Sequence, residues 1–174
     1  DKTIESLDAG GWFGRPFRGV HVPSLDQFLS AVPEGVNLYF DAKDIPPAAL
    51  AAAVEKHGLA ERTVVYQGAG YLEKLKGIDS RIHALPGVGS AAEVTALAAG
   101  LKPYAVDTRW NVLSKPYIDH CHAAGIQVWA DAPGNLDVAG YRQAIDWGID
   151  LIQTDHPIRL WRAMELAAAD RAKR

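Results

Sequence analysis

Aspartates recur in this sequence where short apolar runs end, and their spacing is the first sign of chemistry. Asp107, Asp131 and Asp155 follow one another at a constant interval of 24 residues (131 − 107 and 155 − 131), and Asp41 closes an earlier run in the same way. If those runs are parallel strands, the four carboxylates gather on one rim, which is where (β/α) folds build their sites. Lys43 stands two residues beyond Asp41, and side chains two apart on a strand share a face, so both can reach one ligand. Arg109 and Trp110, just after Asp107, add a cation and a stacking surface to the same rim, suited to a phosphate. The structural alternatives are that each aspartate caps the turn or helix that follows and that Asp41 and Lys43 form a plain ion pair.

The elements that must position these groups are legible from about residue 36 onward. Short β-rich runs at 36–40, 63–67, 81–85, 104–106, 126–130 and 150–154 alternate with helical stretches, the pattern of repeated βα units around a mainly parallel sheet. Among the helices are 47–57, 90–99, 114–124 and 138–147, each closed by a glycine: Gly58, Gly100, Gly125 and Gly148. The spacing of 24 residues matches one unit of an eight-unit barrel of about 250 residues. Six strands are too few to close such a barrel, so the reading is an α/β fold of TIM-barrel type, incomplete, with exposed sheet edges through which a homo-oligomer could form.

Composition excludes several classes. The 174 residues are 48% hydrophobic and 22% charged, which suits one globular domain and rules out disorder. A formal charge of −3 with interspersed signs provides no basic stripe for nucleic acid, and no apolar run is long enough for a transmembrane helix. The single cysteine, Cys121, has no disulfide partner in the chain. With His120 and His122 it makes no metal site, because adjacent helical residues point about 100° apart. The sequence begins at Asp1 with no methionine and no signal-peptide pattern, so we expect a processed chain or a fragment of a longer product, whose location is not readable.

Ahead of the first strand the character changes. Ser6-Leu7-Asp8-Ala9-Gly10-Gly11-Trp12-Phe13-Gly14 is glycine-rich with two aromatics, and no strand precedes it, so it is not a dinucleotide fingerprint. Ser24 is placed to cap a short helix through Val32. Read together, Leu7-Asp8-Ala9-Gly10-Gly11-Trp12-Phe13 and Val22-Pro23-Ser24-Leu25-Asp26-Gln27-Phe28-Leu29 resemble the end of the insertion, and the helix that follows it, in glycerophosphodiester phosphodiesterases. Asn37-Leu38-Tyr39-Phe40-Asp41-Ala42-Lys43 resembles that family's third strand. His122-Ala123-Ala124-Gly125-Ile126-Gln127-Val128-Trp129 resembles its seventh, and Gly148-Ile149-Asp150-Leu151-Ile152-Gln153-Thr154-Asp155-His156-Pro157 its closing signature. The matches run in the family's order along nearly the whole chain.

The resemblance implies one domain over 1–174, with 1–35 as the insertion end and helix and 36–174 as βα units equivalent to strands three to eight. It implies a hydrolase that cleaves a small glycerophosphodiester to an alcohol and glycerol phosphate, using a calcium or magnesium ion. Asp41 matches one acidic metal ligand, where the family more often has glutamate. Lys43 matches a phosphate-binding lysine, Trp129 a tryptophan that walls the substrate pocket, and Gln67 stands where an amide could bond a head group. The family's catalytic histidine pair and two further acidic ligands have no counterpart among these residues, so no catalytic residue is assigned and the chain by itself is expected to be impaired or inactive. Where the family reads threonine-valine-asparagine after the tryptophan, Ala130-Asp131-Ala132 stands here and adds a carboxylate. Trp12 and Phe13 are read as packing or as a cover for the barrel mouth. Two other outcomes stay open: a non-catalytic, anion-binding or self-associating barrel fragment, and a phospholipase D-like lyase relative, against which the segment from Leu7 to Phe13 speaks.

Overall fold

The computed structural model describes residues 2–173. After a short helix α1 (Lys2–Glu5) and a glycine-rich loop, helix α2 (Leu25–Ser30) leads into alternating strands and helices. In order these are β1 (Leu38–Asp41), α3 (Pro47–Lys56), β2 (Thr63–Tyr66), α4 (Ala69–Ile78), β3 (His83–Leu85), β4 (Gly87–Val88), α5 (Ala91–Ala99), β5 (Ala105–Thr108), α6 (Lys115–Ala123), β6 (Gln127–Asp131), α7 (Val138–Trp147), β7 (Leu151–Gln153) and α8 (Pro157–Arg171). Every strand pairing is parallel, as βα repetition requires.

The strands form two ladders, β1-β2-β3 and β4-β5-β6-β7. Only Pro86 separates β3 from β4, and proline has no N–H to offer a ladder. The path nevertheless continues, because the Tyr104 and Asp107 N–H groups donate to the Ala84 and Pro86 carbonyls at 3.1 and 2.9 Å. The result is six strand positions, as the sequence predicts, with the third continued past Pro86 by β4, which lies beyond the run 81–85. Among the described residues β1 and β7 each pair on one side only, so the barrel is not closed.

Local chemistry explains where the helices start. The Ser24 hydroxyl accepts from the Gln27 N–H, and the Gln27 side chain accepts from the Ser24 N–H, a reciprocal cap for α2. Ser90, Ser114 and Asp137 cap α5, α6 and α7 by the same kind of bond. At the end of α7, Gly148 takes the left-handed conformation at φ 97°, which glycine adopts without a Cβ clash. Helices α4 and α8 are found in addition to the four read from glycine stops, since neither is closed by a glycine.

Alternation along each strand sorts its residues between two faces. Leu38, Val65 and Ala84 turn outward to pack with Leu50, Val54, Leu72 and Leu75 of α3 and α4. Val106, Val128 and Ala130 do the same against α5 and α6, where Val94, Ile118 and Cys121 are fully buried. Burial of each such valine, leucine or isoleucine side chain is worth about 1.5–3 kcal/mol, so these two outer layers hold the strands in place. The inward face is smaller: Val64, Leu85, Ala105 and Trp129 pack together with Tyr66 above them. No buried side-chain nitrogen or oxygen among the described residues lacks a hydrogen-bond partner.

Candidate functional site

The same alternation carries Asp41, Asp107 and Asp131 to the inner face near the carboxyl ends of β1, β5 and β6. Asp107 and Asp131 line one cavity of about 460 Å³ with Tyr66, Gly87, Arg109 and Trp110. Asp41 and Lys43 line a second of about 350 Å³, with Gln67, and share Tyr66 and Gly87 with the first. Tyr66 is therefore the partition between two halves of one rim. Gly87 leaves room for it, because a Cβ at that position would lie 3.1 Å from the Tyr66 hydroxyl. Asp155 lies two residues past the end of β7 and lines neither cavity.

Of the residues singled out from the sequence, Asp41, Lys43 and Gln67 are brought together. The Lys43 ammonium donates to both Asp41 carboxylate oxygens at 2.6 Å, and the side chains are 72% and 48% exposed. Such a solvated pair contributes about 0–1 kcal/mol, leaving the ammonium available for a stronger anion. Gln67 is committed to the backbone: its Nε2 donates to the Ala42 carbonyl at 2.7 Å and the Lys43 carbonyl at 3.3 Å, and its Oε1 accepts from the Gly68 N–H. It shapes the loop that presents Lys43.

Trp129 sits apart from that cluster, mid-strand in β6, with its ring stacked on Tyr39 at 6.2 Å and edge-on to Tyr104. Its indole N–H donates to Gln127 Oε1 at 3.0 Å. With Tyr39, His83, Tyr104 and Leu151 it lines a cavity of about 460 Å³ toward the amino ends of the strands, not the rim. Arg109 lies beside Gly89 in the field of Glu93, and Trp110 packs edge-on against buried Tyr141. Tyr66 is not among the residues singled out from the sequence, although alternation from Val64 places it inward.

Electrostatics follow from this crowding. Burial, with Asp131 as a second cause, pushes the Asp107 carboxyl up to about 6. Burial and the charges of Asp107, Asp131 and Asp41 push the Tyr39 phenol up as well, so it stays protonated and neutral.

No protein-family model matches the sequence, and no curated protein matches it significantly. Solved structures do match. Over 91% of its length the chain aligns with a glycerophosphodiester phosphodiesterase from Agrobacterium tumefaciens str. C58, at a TM-score of 0.75 and 24% identity. The fold is the glycerophosphodiester phosphodiesterase barrel. The alignment takes in 69% of that chain, and 71% of a glycerophosphodiester phosphodiesterase from Parabacteroides distasonis at a TM-score of 0.74 and 19% identity, with 98% of this chain covered. A phosphodiesterase from Oleispira antarctica, solved with the product sn-glycerol-3-phosphate, aligns at 0.76 and 18% identity, over 94% of this chain and 70% of its own. This chain thus spans about two thirds of those barrels, in keeping with its unclosed sheet.

On that fold the metal expectation meets a shortage of ligands. A hard divalent ion takes six or more oxygens, commonly from several carboxylates or from waters. Among the described residues no group of three or more histidines, cysteines, aspartates or glutamates is placed to hold one. Asp41 supplies one carboxylate, already paired with Lys43. A calcium or magnesium ion beside Asp41 would take the rest of its oxygens from waters, a phosphate or ligands beyond this carboxylate. None of the described histidines lines either rim cavity. His57 and His122 bond to Asp26 and Asp150, while His156, in the loop after β7, bonds the Gly134 carbonyl at 2.7 Å.

Proposed function

We propose that this chain forms the phosphate-binding rim of a phosphoric diester hydrolase acting on glycerophosphodiesters, and that these residues alone bind the diester without turning it over. The observation that supports the reading most directly is Lys43, exposed at the carboxyl end of β1 beside Asp41, in a barrel of the phosphodiesterase fold. A diester presents one negative charge over two non-bridging oxygens, and a lysine ammonium meets it as a point charge. Binding exchanges the solvated Asp41–Lys43 pair for a phosphate–Lys43 pair.

Hydrolysis needs more. A proton must leave the nucleophile and another must reach the departing alkoxide, and among the described residues no histidine lines either rim cavity to move them. A calcium or magnesium ion at Asp41 would require ligands beyond these residues, and the reading assigns no step to it. Which alcohol the diester carries is left to the half of the rim around Asp107 and Asp131.

The test combines calorimetry with sn-glycerol-3-phosphate and turnover assays on glycerophosphocholine and bis(para-nitrophenyl) phosphate, with calcium, with magnesium and with chelator. Binding weakened at least tenfold in Lys43→Ala, with no turnover under any condition, is the expected result. Chelator-sensitive turnover that disappears in Asp41→Ala would show that the chain completes a working site, and absence of binding would remove the reading altogether.

A further inference from the structure

A diester held by its phosphate at Lys43 extends its alcohol past Tyr66 into the neighbouring cavity of about 460 Å³, because Tyr66 and Gly87 line both halves of the rim. Strand register fixes the span between them. Asp41 stands opposite Tyr66 of β2, and Gly87 of β4 stands opposite Asp107 of β5. Strands β1 and β5 are thus three positions apart, on the order of 14 Å at about 4.8 Å per step. A single small ion cannot touch both ends of that span, whereas a diester held at its phosphate and at its alcohol can.

The alcohol half carries acids without partners. Asp107 is half-buried, Asp131 is exposed at the end of β6, and neither carboxylate forms a hydrogen bond or an ion pair among the described residues. Each feels the other, since the charge of Asp131 adds to burial in raising the Asp107 carboxyl. Arg109 is the one cation among the residues lining this cavity, and it stands beside Gly89, where it lowers the Glu93 carboxyl. A ligand group that brings both positive charge and hydrogen-bond donors relieves the repulsion and satisfies both acids. Hydroxyls bring donors without charge. A trimethylammonium brings charge without donors and depends on open aromatic faces, yet Trp110 is half-buried with its ring edge-on to Tyr141.

We propose that the cavity between Asp107 and Asp131 binds a primary ammonium group, so that the diesters this rim takes are zwitterionic, with a short primary amino alcohol on the phosphate. The proposal rests on the reading of Lys43 as the phosphate contact. One half of the rim then offers a cation to the phosphate and the other offers two carboxylates to the ammonium, the reverse of the charges that such a diester carries. Tyr66, shared by both halves, lies against the carbons that join phosphate to nitrogen.

The experiment is calorimetry of the full chain with glycerophosphoethanolamine, glycerophosphocholine, glycerophosphoglycerol and sn-glycerol-3-phosphate. The ethanolamine diester should bind about tenfold more tightly than the glycerol diester and about fivefold more tightly than the choline diester. Asp107→Asn/Asp131→Asn should level the three diesters without weakening the binding of sn-glycerol-3-phosphate and with the parent circular dichroism. Because Asp107 holds its proton up to about 6, the preference should also grow as pH rises from about 5 to about 7.5. Equal affinity for the ethanolamine and glycerol diesters overturns the proposal, as does a preference that survives the double substitution. A choline diester bound as tightly as the ethanolamine diester overturns the assignment of a primary ammonium. sn-Glycerol-3-phosphate separates the two readings: if it binds while the diesters are not discriminated, this inference alone fails, and if it does not bind, the phosphate reading of Lys43 fails and this inference with it.

Discussion

A carboxyl group withdrawn from water and set near a second carboxylate holds its proton longer than one in solution, and Asp107 is such a group, at about 6 against an ordinary 3.8. Between those values the folded chain binds more protons than the unfolded chain, so stability falls as pH rises through that window and levels off above it. Asp107→Asn removes the charge that causes the fall. Urea melts should show the variant more stable than the parent at about pH 8, with the difference shrinking toward about pH 4. The Asp41–Lys43 pair behaves differently, because both partners are solvated. Asp41→Ala should change unfolding free energy by less than about 1 kcal/mol in the same melts, so any large effect of that substitution on ligand binding reports on the site and not on the fold.

At the scale of elements, the caps and the loop geometry make definite demands. The Asp137 side chain accepts from the Gly140 N–H at 2.8 Å, and α7 then packs along α8 and buries Tyr141. Asp137→Ala should cost about 1 kcal/mol in thermal or chemical denaturation. The loop that carries Trp12 turns on Gly10, where a Cβ would stand 2.1 Å from the Phe17 carbonyl oxygen, closer than any packing allows. Gly10→Ala should therefore open the loop while the barrel strands stay intact. Faster tryptic cleavage after Arg18, with unchanged far-ultraviolet circular dichroism, is the expected signature.

For the whole molecule, the consequence of an unclosed barrel is two strands that pair on one side only among the described residues. β1 and β7 face the opening, and Tyr39, Tyr104 and Leu151 are exposed on its inner wall. Unpaired edges beside exposed apolar side chains favour strand pairing between chains. Light scattering across a concentration series should detect association, and Tyr39→Lys/Leu151→Lys should suppress it by placing charge at both edges. A monomer at every concentration would show that these edges are quiet in spite of their exposure.

The sequence by itself determined the order and type of the elements, because periodicity, serine and aspartate caps and glycine stops act over a few residues. Six strand positions, α7 from Val138 to Trp147 and the cap at Ser24 were all readable in that way. It also placed Asp41 and Lys43 on one face, since alternation is a local rule. What needed the tertiary structure is everything set by residues distant along the chain. The continuation of the third strand past Pro86 as β4 depends on which neighbour each part pairs with, and the separation of Trp129 from the rim depends on how Tyr39 and Tyr104 stack around it. The commitment of Gln67 to the carbonyls of Ala42 and Lys43, across 25 and 24 residues of chain, is of the same kind. So is the exposure of Trp12, because hydrophobicity is a property of a side chain, whereas burial depends on what the rest of the fold brings against it.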